Sequence, residues 1–250
     1  MRLTFLGTGA AGGVPLYGCG CPACARAGRD PAYRRRPCSA LLESAGARIL
    51  IDAGLTDLHE RFPCGSLSAI LLTHFHADHV QGLFHLRWGV GEATPVLCPA
   101  DPEGCADLYK HPGPLDFRRL NAFEPHRLGP FEITPLPLIH SKPTFGYAVE
   151  STGGARFAYL TDTLGLPART SHFLRRWGDF RLVLDATHPP IREPANHNDR
   201  TRALATIAET RPRHTWLTHL DHEHDAWRMG TASPLPPGVS YARDGECIEH

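Results

Sequence analysis

The chain has no excess of charge of either sign: 26 lysine and arginine side chains balance 26 aspartate and glutamate side chains. A protein that grips a long phosphate backbone usually presents a broad basic surface, so this balance favours a small substrate over a polynucleotide, although a local basic patch stays open. Tryptophan is also scarce. Its four copies are too scattered to form a platform that stacks single-stranded bases.

Long apolar runs are absent as well, and no stretch approaches the length that a membrane-spanning helix needs. The first seven residues are too short in their apolar part for a secretory signal and read as the start of a strand. We therefore expect a cytoplasmic protein. In that compartment the eight cysteines are expected to be free thiols or metal ligands rather than disulfides.

Proline and glycine are spread along the chain, and no low-complexity linker divides it. This pattern predicts one compact α/β domain over residues 1–250. Apolar, β-branched runs predict strands at 3–7, 40–43, 48–52, 68–73, 95–98, 131–138, 145–150, 156–161, 181–185 and 214–218. Helices are predicted at 80–89, 100–110, 170–177, 199–209 and 223–230, the fourth with Asn198 or Asp199 as its N-cap.

Histidine is abundant, with 16 copies, and ligand-type side chains crowd one short segment. His74, His76, Asp78 and His79 follow directly after the apolar run 67–72. Burying three imidazoles and a carboxylate without an ion would leave many polar groups unsatisfied. The segment therefore predicts a catalytic metal site held rigidly at the end of a buried strand. His74 and His76 would bind one ion, and Asp78 and His79 would turn towards a second.

Further ligands must come from distant sequence. His140, Asp162 and His219 each end a predicted strand, although taken singly such residues are more often caps or turn residues than ligands. A faint internal repeat favours their convergence. Residues 49–54 resemble 158–163, each a strand that ends in Asp, and Leu-Thr-His at 72–74 recurs at 217–219. A duplicated layout would bring these strand ends to one edge of a two-sheet core.

The ligand-type residues follow one another along the chain in a distinctive order: Asp52, His74, His76, Asp78, His79, His140, Asp162 and His219. In this order and spacing nearly the whole chain resembles the metallo-β-lactamase superfamily. The resemblance implies a four-layer αββα sandwich with a dinuclear site at one edge. The ligand sets that it implies are His74, His76 and His140 for one ion, Asp78, His79 and His219 for the other, and Asp162 bridging both. Asp52 would orient the histidine loop through hydrogen bonds.

Short motifs narrow the resemblance, among them Gly7-Thr8-Gly9, Gln81-Gly82-Leu83-Phe84, Leu86-Arg87-Trp88-Gly89, His140-Ser141-Lys142 and His188-Pro189-Pro190. They are similar to motifs of the phosphodiesterases of the carbon–phosphorus lyase pathway of phosphonate degradation. The resemblance implies hydrolysis of 5-phosphoribosyl 1,2-cyclic phosphate to ribose 1,5-bisphosphate, with manganese as the usual catalytic metal. The imidazole and carboxylate ligands themselves suit manganese, iron or zinc. The resemblance also allows a homodimer. Two cations about 3.5–4 Å apart suit this chemistry, because they can stabilise both the attacking and the leaving oxygen.

The departing sugar oxygen needs a proton, and four histidines are candidates to supply it: His188, His197, His222 and His224. His197 lies in a loop just before a predicted helix. The resemblance selects His197 as the general acid. A solvated loop histidine near a helix start is the alternative.

Cys19, Cys21 and Cys24 place three thiols within six residues, which suits zinc but leaves a tetrahedral site one ligand short. Cys38, His222 and His224 are available as the fourth ligand, and the resemblance favours His222. The prediction is a structural zinc that ties the N-terminal loop to the active-site edge. The alternative is a cluster of reduced thiols or an opportunistic disulfide.

Other functions remain open on the sequence alone. A tRNA 3′-processing endonuclease would use the same chemistry, but the neutral charge and short loops count against it. An ester, thioester or lactam hydrolase is open because fold does not fix substrate. A non-catalytic zinc module is disfavoured by the complete ligand set. Arg34, Arg35 and Arg36 are expected in a solvated loop, with contact of one arginine to a substrate phosphate as the alternative. Lys110-His111 and Ser141-Lys142 are further candidates for holding the distal phosphate.

Overall fold

Successive side chains of the central strands are buried on opposite faces of their sheet, so each sheet packs against the other sheet on one face and against helices on the other, which gives four layers. The structure, a computed structural model, describes residues 1–191 and 193–249. In the strand Ala47–Ile51, Ile49 and Ile51 face one apolar cluster, whereas Leu50 faces another, as the two-residue period of a strand requires. Val183 and Leu184 divide in the same way within the strand Arg181–Asp185. Each sheet is therefore apolar on both faces.

The first sheet has seven strands in the order β14-β1-β2-β3-β4-β5-β6. Its strands are β1 Arg2–Gly7, β2 Ser39–Ser44, β3 Ala47–Ile51, β4 Ala69–Leu71, β5 Thr94–Cys98, β6 Leu115–Arg119 and β14 Cys247–Glu249. Strands β3 to β6 run parallel, whereas β14, β1, β2 and β3 pair antiparallel. The parallel part directs the carboxyl ends of its strands to one edge.

The second sheet also has seven strands and also combines a parallel part with an antiparallel part, in the order β13-β12-β11-β10-β9-β8-β7. Its strands are β7 His126–Leu128, β8 Phe131–Pro137, β9 Phe145–Ser151, β10 Arg156–Leu160, β11 Arg181–Asp185, β12 His214–Thr218 and β13 Val239–Tyr241. Strands β10 to β13 run parallel. Side chains of both sheets, such as Ile51 and Tyr159, meet in the central core.

In the described ranges, eight α-helices lie outside the two sheets. They are α1 Pro22–Arg29, α2 Leu58–Arg61, α3 Ala77–Val80, α4 Leu83–Leu86, α5 Ala106–Lys110, α6 Ala168–Trp177, α7 Arg200–Thr210 and α8 His222–Gly230. Leu58 and Leu83 join the outer cluster on the first sheet, and Leu174 and Ala203 join the one on the second. The predicted α/β, four-layer αββα architecture is confirmed. No helix among the described residues is both long enough and apolar enough to cross a bilayer.

Two of the predicted helices are wrong in extent. The region 80–89 contains the separate short helices α3 and α4, because the Gly82 amide donates to the Ala53 carbonyl at 2.8 Å instead of continuing the helical pattern. The region 100–110 becomes helical only at Ala106. Before it, Asp101 accepts hydrogen bonds from the amides of Glu103 and Gly104, each at 3.0 Å, and holds a turn.

Three residues that leave the strands at the functional edge have left-handed backbones. Asp52 follows β3, Asp162 lies two residues after β10 and His219 follows β12, with φ angles of 58°, 62° and 57°. Residues other than glycine rarely adopt this backbone conformation, and those that do are often found at functional sites. The sharp turn after each strand keeps the side chain at the edge where the two sheets meet.

Candidate metal centre

Three histidines and one aspartate gather at the edge of the sandwich. The ligand-type atoms of His74, His76, His140 and Asp162 all lie within 4.8 Å of one another. His74 Nε2 is 2.8 Å and His140 Nε2 is 3.0 Å from His76 Nδ1. Three ring nitrogens that face one another this closely form a donor set suited to one cation.

A second group adjoins the first. Ligand-type atoms of Asp78, His79 and His219 also lie within 4.8 Å of one another. The Nε2 atoms of His79 and His219 are buried and have no hydrogen-bond partner. Carboxylate oxygens nevertheless lie close to both, with Asp78 Oδ2 at 3.2 Å from His79 and 3.6 Å from His219. Buried nitrogens that crowd around carboxylates without bonding to them fit a position for a cation.

Asp162 joins the two groups because its oxygens face opposite ways. Oδ1 lies 3.4 Å from His79 Nε2 and 3.5 Å from His219 Nε2. Oδ2 lies 3.6 Å from His74 Nε2 and 3.6 Å from His140 Nε2. One buried carboxylate thus serves both halves of the site.

In His74, His140 and His219 the outer ring nitrogen is Nδ1, and a neighbouring group holds it in each case. His74 Nδ1 lies 3.0 Å from Thr73 Oγ1, and His219 Nδ1 lies 2.8 Å from Thr187 Oγ1. His140 Nδ1 donates to the Asn196 carbonyl at 3.0 Å. Such contacts fix the tautomer and leave the Nε2 lone pair directed into the site.

Asp52 organises the histidine loop from beneath. It is fully buried and accepts hydrogen bonds from the Thr73 amide at 2.8 Å and from His79 Nδ1 at 2.7 Å. Gly54, two residues later, allows the close approach of the next turn, since a Cβ there would collide with the Asp78 carbonyl oxygen. The end of β3 therefore sets the positions of both Asp78 and His79.

Charge is distributed unevenly across the centre. Burial lowers the pKa values of His74, His76 and His140, so these rings are neutral and ready to act as ligands. Burial also opposes protonation of His219, but Asp162 and Asp78 outweigh it and raise its pKa to about 9. The pKa of His79 is likewise raised well above its usual value against burial, by Asp162 and Asp52. A cation bound on this side would displace those protons.

His197 lies beside the centre, and an aspartate orients it. Its ring is 4.9 Å from that of His140 and stacks on His219 at 4.8 Å, centroid to centroid. Its Nδ1 donates to Asp185 Oδ2 at 2.8 Å. Asp185 also accepts from the amides of Thr163 and Thr187, both at 2.9 Å, which leaves its carboxylate fixed.

Sequence reasoning missed Asp185. The signal was present, because Asp185 ends strand β11, the context that drew attention to Asp52 and Asp162. The other candidate proton donors lie differently. His224 is buried against the Ala186 carbonyl, with its pKa lowered to about 4, chiefly by burial. His188 donates to Asp221 at 2.9 Å, with its ring 6.2 Å from that of His197.

The thiol segment forms a separate cluster with His222. Ligand-type atoms of Cys19, Cys21, Cys24 and His222 lie within 4.8 Å of one another, and His222 Nδ1 is 3.5 Å from both the Cys19 and Cys21 sulfurs. Burial raises the pKa of the Cys21 thiol, but the Cys24 amide and His222 outweigh this and lower it to about 7. A thiolate is the form that binds metal. Cys38 lies elsewhere, 3.1 Å from the Tyr159 hydroxyl.

Two sheets between helical layers, with histidines and aspartates converging at one edge, define a protein of the αββα sandwich class. A sequence profile described as the beta-lactamase superfamily domain matches residues 47–220. The chain belongs to this superfamily. Its fold implies divalent metal ions.

Individual relatives vary in their named activities. An octanoyltransferase of Porphyromonas gingivalis is 29% identical over 98% of this chain, and a ribonuclease Z of Bradyrhizobium diazoefficiens is 31% identical over 66%. The chain spans about half the length of these curated relatives, 51% and 55% respectively. The crystal structure of a diphosphatase from the PhnP family superposes with a TM-score of 0.81 and 29% identity, covering 99% of this chain and 97% of that one.

Proposed function

We propose that the protein is a dinuclear metal-dependent phosphodiesterase that opens a small cyclic phosphodiester. The substrate class is that of 5-phosphoribosyl 1,2-cyclic phosphate, hydrolysed to ribose 1,5-bisphosphate in phosphonate catabolism. The observation that carries the proposal is the placement of Asp162, whose two oxygens face two separate groups of histidines at 3.4 to 3.6 Å. A carboxylate between two donor sets suits a pair of ions.

Seven side chains would hold the ions. His74, His76 and His140 form one set, Asp78, His79 and His219 form the other, and Asp162 is shared. Manganese is the metal we propose, and this donor set also suits zinc or iron. When bound, the ions would draw charge from the phosphoryl oxygens and lower the pKa of a coordinated water.

His197 supplies the proton for the leaving alkoxide. Asp185 accepts a hydrogen bond from His197 Nδ1 at 2.8 Å, which orients the ring and leaves Nε2 outside this contact. The side chain is 18% exposed, which leaves it within reach of a substrate that lies over the centre. This arrangement of a fixed carboxylate, an imidazole and an open face is that of a general acid.

Lys142 is the residue that we propose for holding the second phosphate of such a substrate. Its neighbour Ser141 has its Oγ 3.4 Å from His76 Nε2, so the segment lies at the rim of the centre. The ammonium is 3.3 Å from Asp101 Oδ2, and the side chain is one quarter exposed. An ammonium has three donors, and this contact uses one of them.

Substrate turnover tests the proposal. With manganese added, the protein should hydrolyse 5-phosphoribosyl 1,2-cyclic phosphate in preference to a p-nitrophenyl thioester and to precursor tRNA. In the Lys142→Met variant, KM for this substrate should rise roughly 10- to 100-fold, as expected for the loss of a charged hydrogen bond. KM for ribose 1,2-cyclic phosphate, which lacks the 5-phosphate, should stay within about threefold of its wild-type value. Preference for the thioester would overturn the phosphodiesterase proposal.

A tRNA 3′-processing endonuclease is the second candidate. The similarity to a ribonuclease Z favours it, whereas the zero net charge favours a small substrate. Cleavage of precursor tRNA with an affinity that falls steeply with salt would establish this alternative.

We also propose a structural zinc at Cys19, Cys21, Cys24 and His222. The mutual spacing of these four ligand-type atoms, within 4.8 Å, fits a closed tetrahedral site. Because His222 begins α8, three residues after His219, the zinc would tie the N-terminal loop to the functional edge.

Replacing Cys21 by serine should remove this zinc. Wild-type protein treated with a mild chelator should lose its catalytic ions and retain one zinc per chain, measured by mass spectrometry of metals. The Cys21→Ser variant should retain none, because serine is a poor zinc ligand and the thiolate is lost. Cys64→Ser is the matched control, since Cys64 is exposed and lies outside the cluster. Zinc content equal to that of the wild type in Cys21→Ser would refute the site.

A further inference from the structure

A strongly basic concavity lies apart from the metal centre. It has a volume of about 170 Å³ and includes five arginines and one acidic residue among its described lining: Arg26, Arg34, Arg35, Arg228, Arg243 and Asp225. The chain as a whole has no net charge. Positive charge is therefore concentrated here, where helices α1 and α8 meet the segment before β2.

The single carboxylate is already neutralised. Arg35 donates to Asp225 through Nε at 2.7 Å and through Nη2 at 3.2 Å, and both side chains are nearly buried. The remaining Arg35 nitrogen, Nη1, donates to Thr8 Oγ1 and to the Ala242 carbonyl, each at 2.8 Å. The expectation of a solvated Arg35 is therefore wrong. Arg228 shares Asp225 with Arg35, whereas Arg26, Arg34 and Arg243 have no carboxylate partner among the described residues.

The four guanidinium groups other than that of Arg35 have donors to spare. Arg26 lies over the Tyr33 ring at 4.0 Å, and its Nε is buried without a hydrogen-bond partner. Arg34 uses Nε for the Ala27 carbonyl at 3.1 Å, which leaves its terminal nitrogens. Arg228 gives Nη1 to Asp225 at 2.9 Å. The Arg243 side chain forms no hydrogen bond or ion pair within the described part of the chain.

We propose that this concavity binds a compact phosphate-bearing anion, distinct from the substrate at the metal centre. Guanidinium groups stay charged at every accessible pH and present paired donors that match phosphate oxygens. Three guanidinium groups without a carboxylate partner around a small hollow repel one another, and a dianion among them removes that repulsion. A small concavity rather than an extended stripe suits a small ligand. Free phosphate and a phosphate monoester share this chemistry.

Equilibrium dialysis of the metal-loaded protein against radiolabelled inorganic phosphate tests the site. The wild type should bind one more phosphate per chain than the Arg34→Met/Arg243→Met variant, in which affinity at this site should fall at least tenfold. The Arg26→Met variant should show the same loss. Arg35 is left unchanged because it holds Asp225. The matched control is Arg127→Met/Arg213→Met, which removes equal charge outside the concavity and should bind phosphate as the wild type does.

Two further readouts complete the test. Metal content and turnover of bis-p-nitrophenyl phosphate should be the same in all variants, because none of these arginines contacts the metal centre. Ribose 5-phosphate should displace the labelled phosphate at a lower concentration than unlabelled phosphate if the ligand is a phosphorylated metabolite; the reverse order identifies free phosphate. Equal phosphate stoichiometry in the wild type and the Arg34→Met/Arg243→Met variant would overturn the proposal.

Discussion

Replacing Asp162 by asparagine should remove nearly all activity and at least one metal ion per chain. Asparagine keeps the shape of aspartate and can still accept the hydrogen bond that Thr161 Oγ1 gives to Oδ1 at 3.0 Å. It has no charge, however, and only one oxygen, so one of the two histidine groups loses its anionic partner. Changes to residues that merely support a ligand cost about 10- to 100-fold. Loss of the shared ligand should exceed this, and we expect a fall in kcat/KM of about 10³-fold or more.

Metal analysis and thermal melting separate this effect from misfolding. The variant should retain the zinc of the cysteine cluster while losing catalytic ions, and its melting curve should stay cooperative. Asp116→Asn serves as the control, because Asp116 is exposed and pairs with Arg118 at 2.7 Å on the outer strand β6. Wild-type activity with a full complement of ions in Asp162→Asn would rule out a bridging role.

The second large effect concerns His197 and depends on the leaving group. A poor leaving group such as a sugar alkoxide needs a proton in the transition state, whereas p-nitrophenolate leaves without one. In His197→Ala we therefore expect kcat for the cyclic sugar phosphate to fall about 10²- to 10⁴-fold. Turnover of bis-p-nitrophenyl phosphate should fall by less than about tenfold, because His197 makes no other contribution to the chemical step.

Two comparisons sharpen this test. Asp185→Asn should show the same dependence on leaving group with smaller losses, because it disturbs the orientation of His197 and leaves the imidazole in place. His188→Ala should affect both substrates alike, since His188 is tied to Asp221. Equal losses on both substrates in His197→Ala would exclude it as the general acid.

The positions of the main strands could be predicted from sequence because both the apolar pattern of a strand and the residues that end it are local signals. Each of the ten predicted strands is found, within about two residues at each end. The short edge strands, such as β7 and β13, escaped prediction. Each of these strands has only three residues, too few to show a periodic apolar pattern, and they are strands because a neighbouring strand pairs with them.

Contacts between distant segments account for the other differences. The division of α3 from α4 depends on a hydrogen bond from Gly82 to Ala53, which lies nearly thirty positions earlier. Asp185 acquires its role only when the loop bearing His197 folds back upon it. Local sequence could therefore nominate the side chains at the edge of the sheets. It could not identify Asp185 as the carboxylate that orients His197.

The division of the metal centre between the two sheets has a consequence for assembly. Residues 74–79 lie in the N-terminal half of the chain and on the first sheet, whereas His140, Asp162 and His219 come from the second. Neither half carries a complete set of donors. In the proposed dinuclear site, the full donor set for either ion would exist only once both halves have docked, so tight metal retention would report that the tertiary structure is complete.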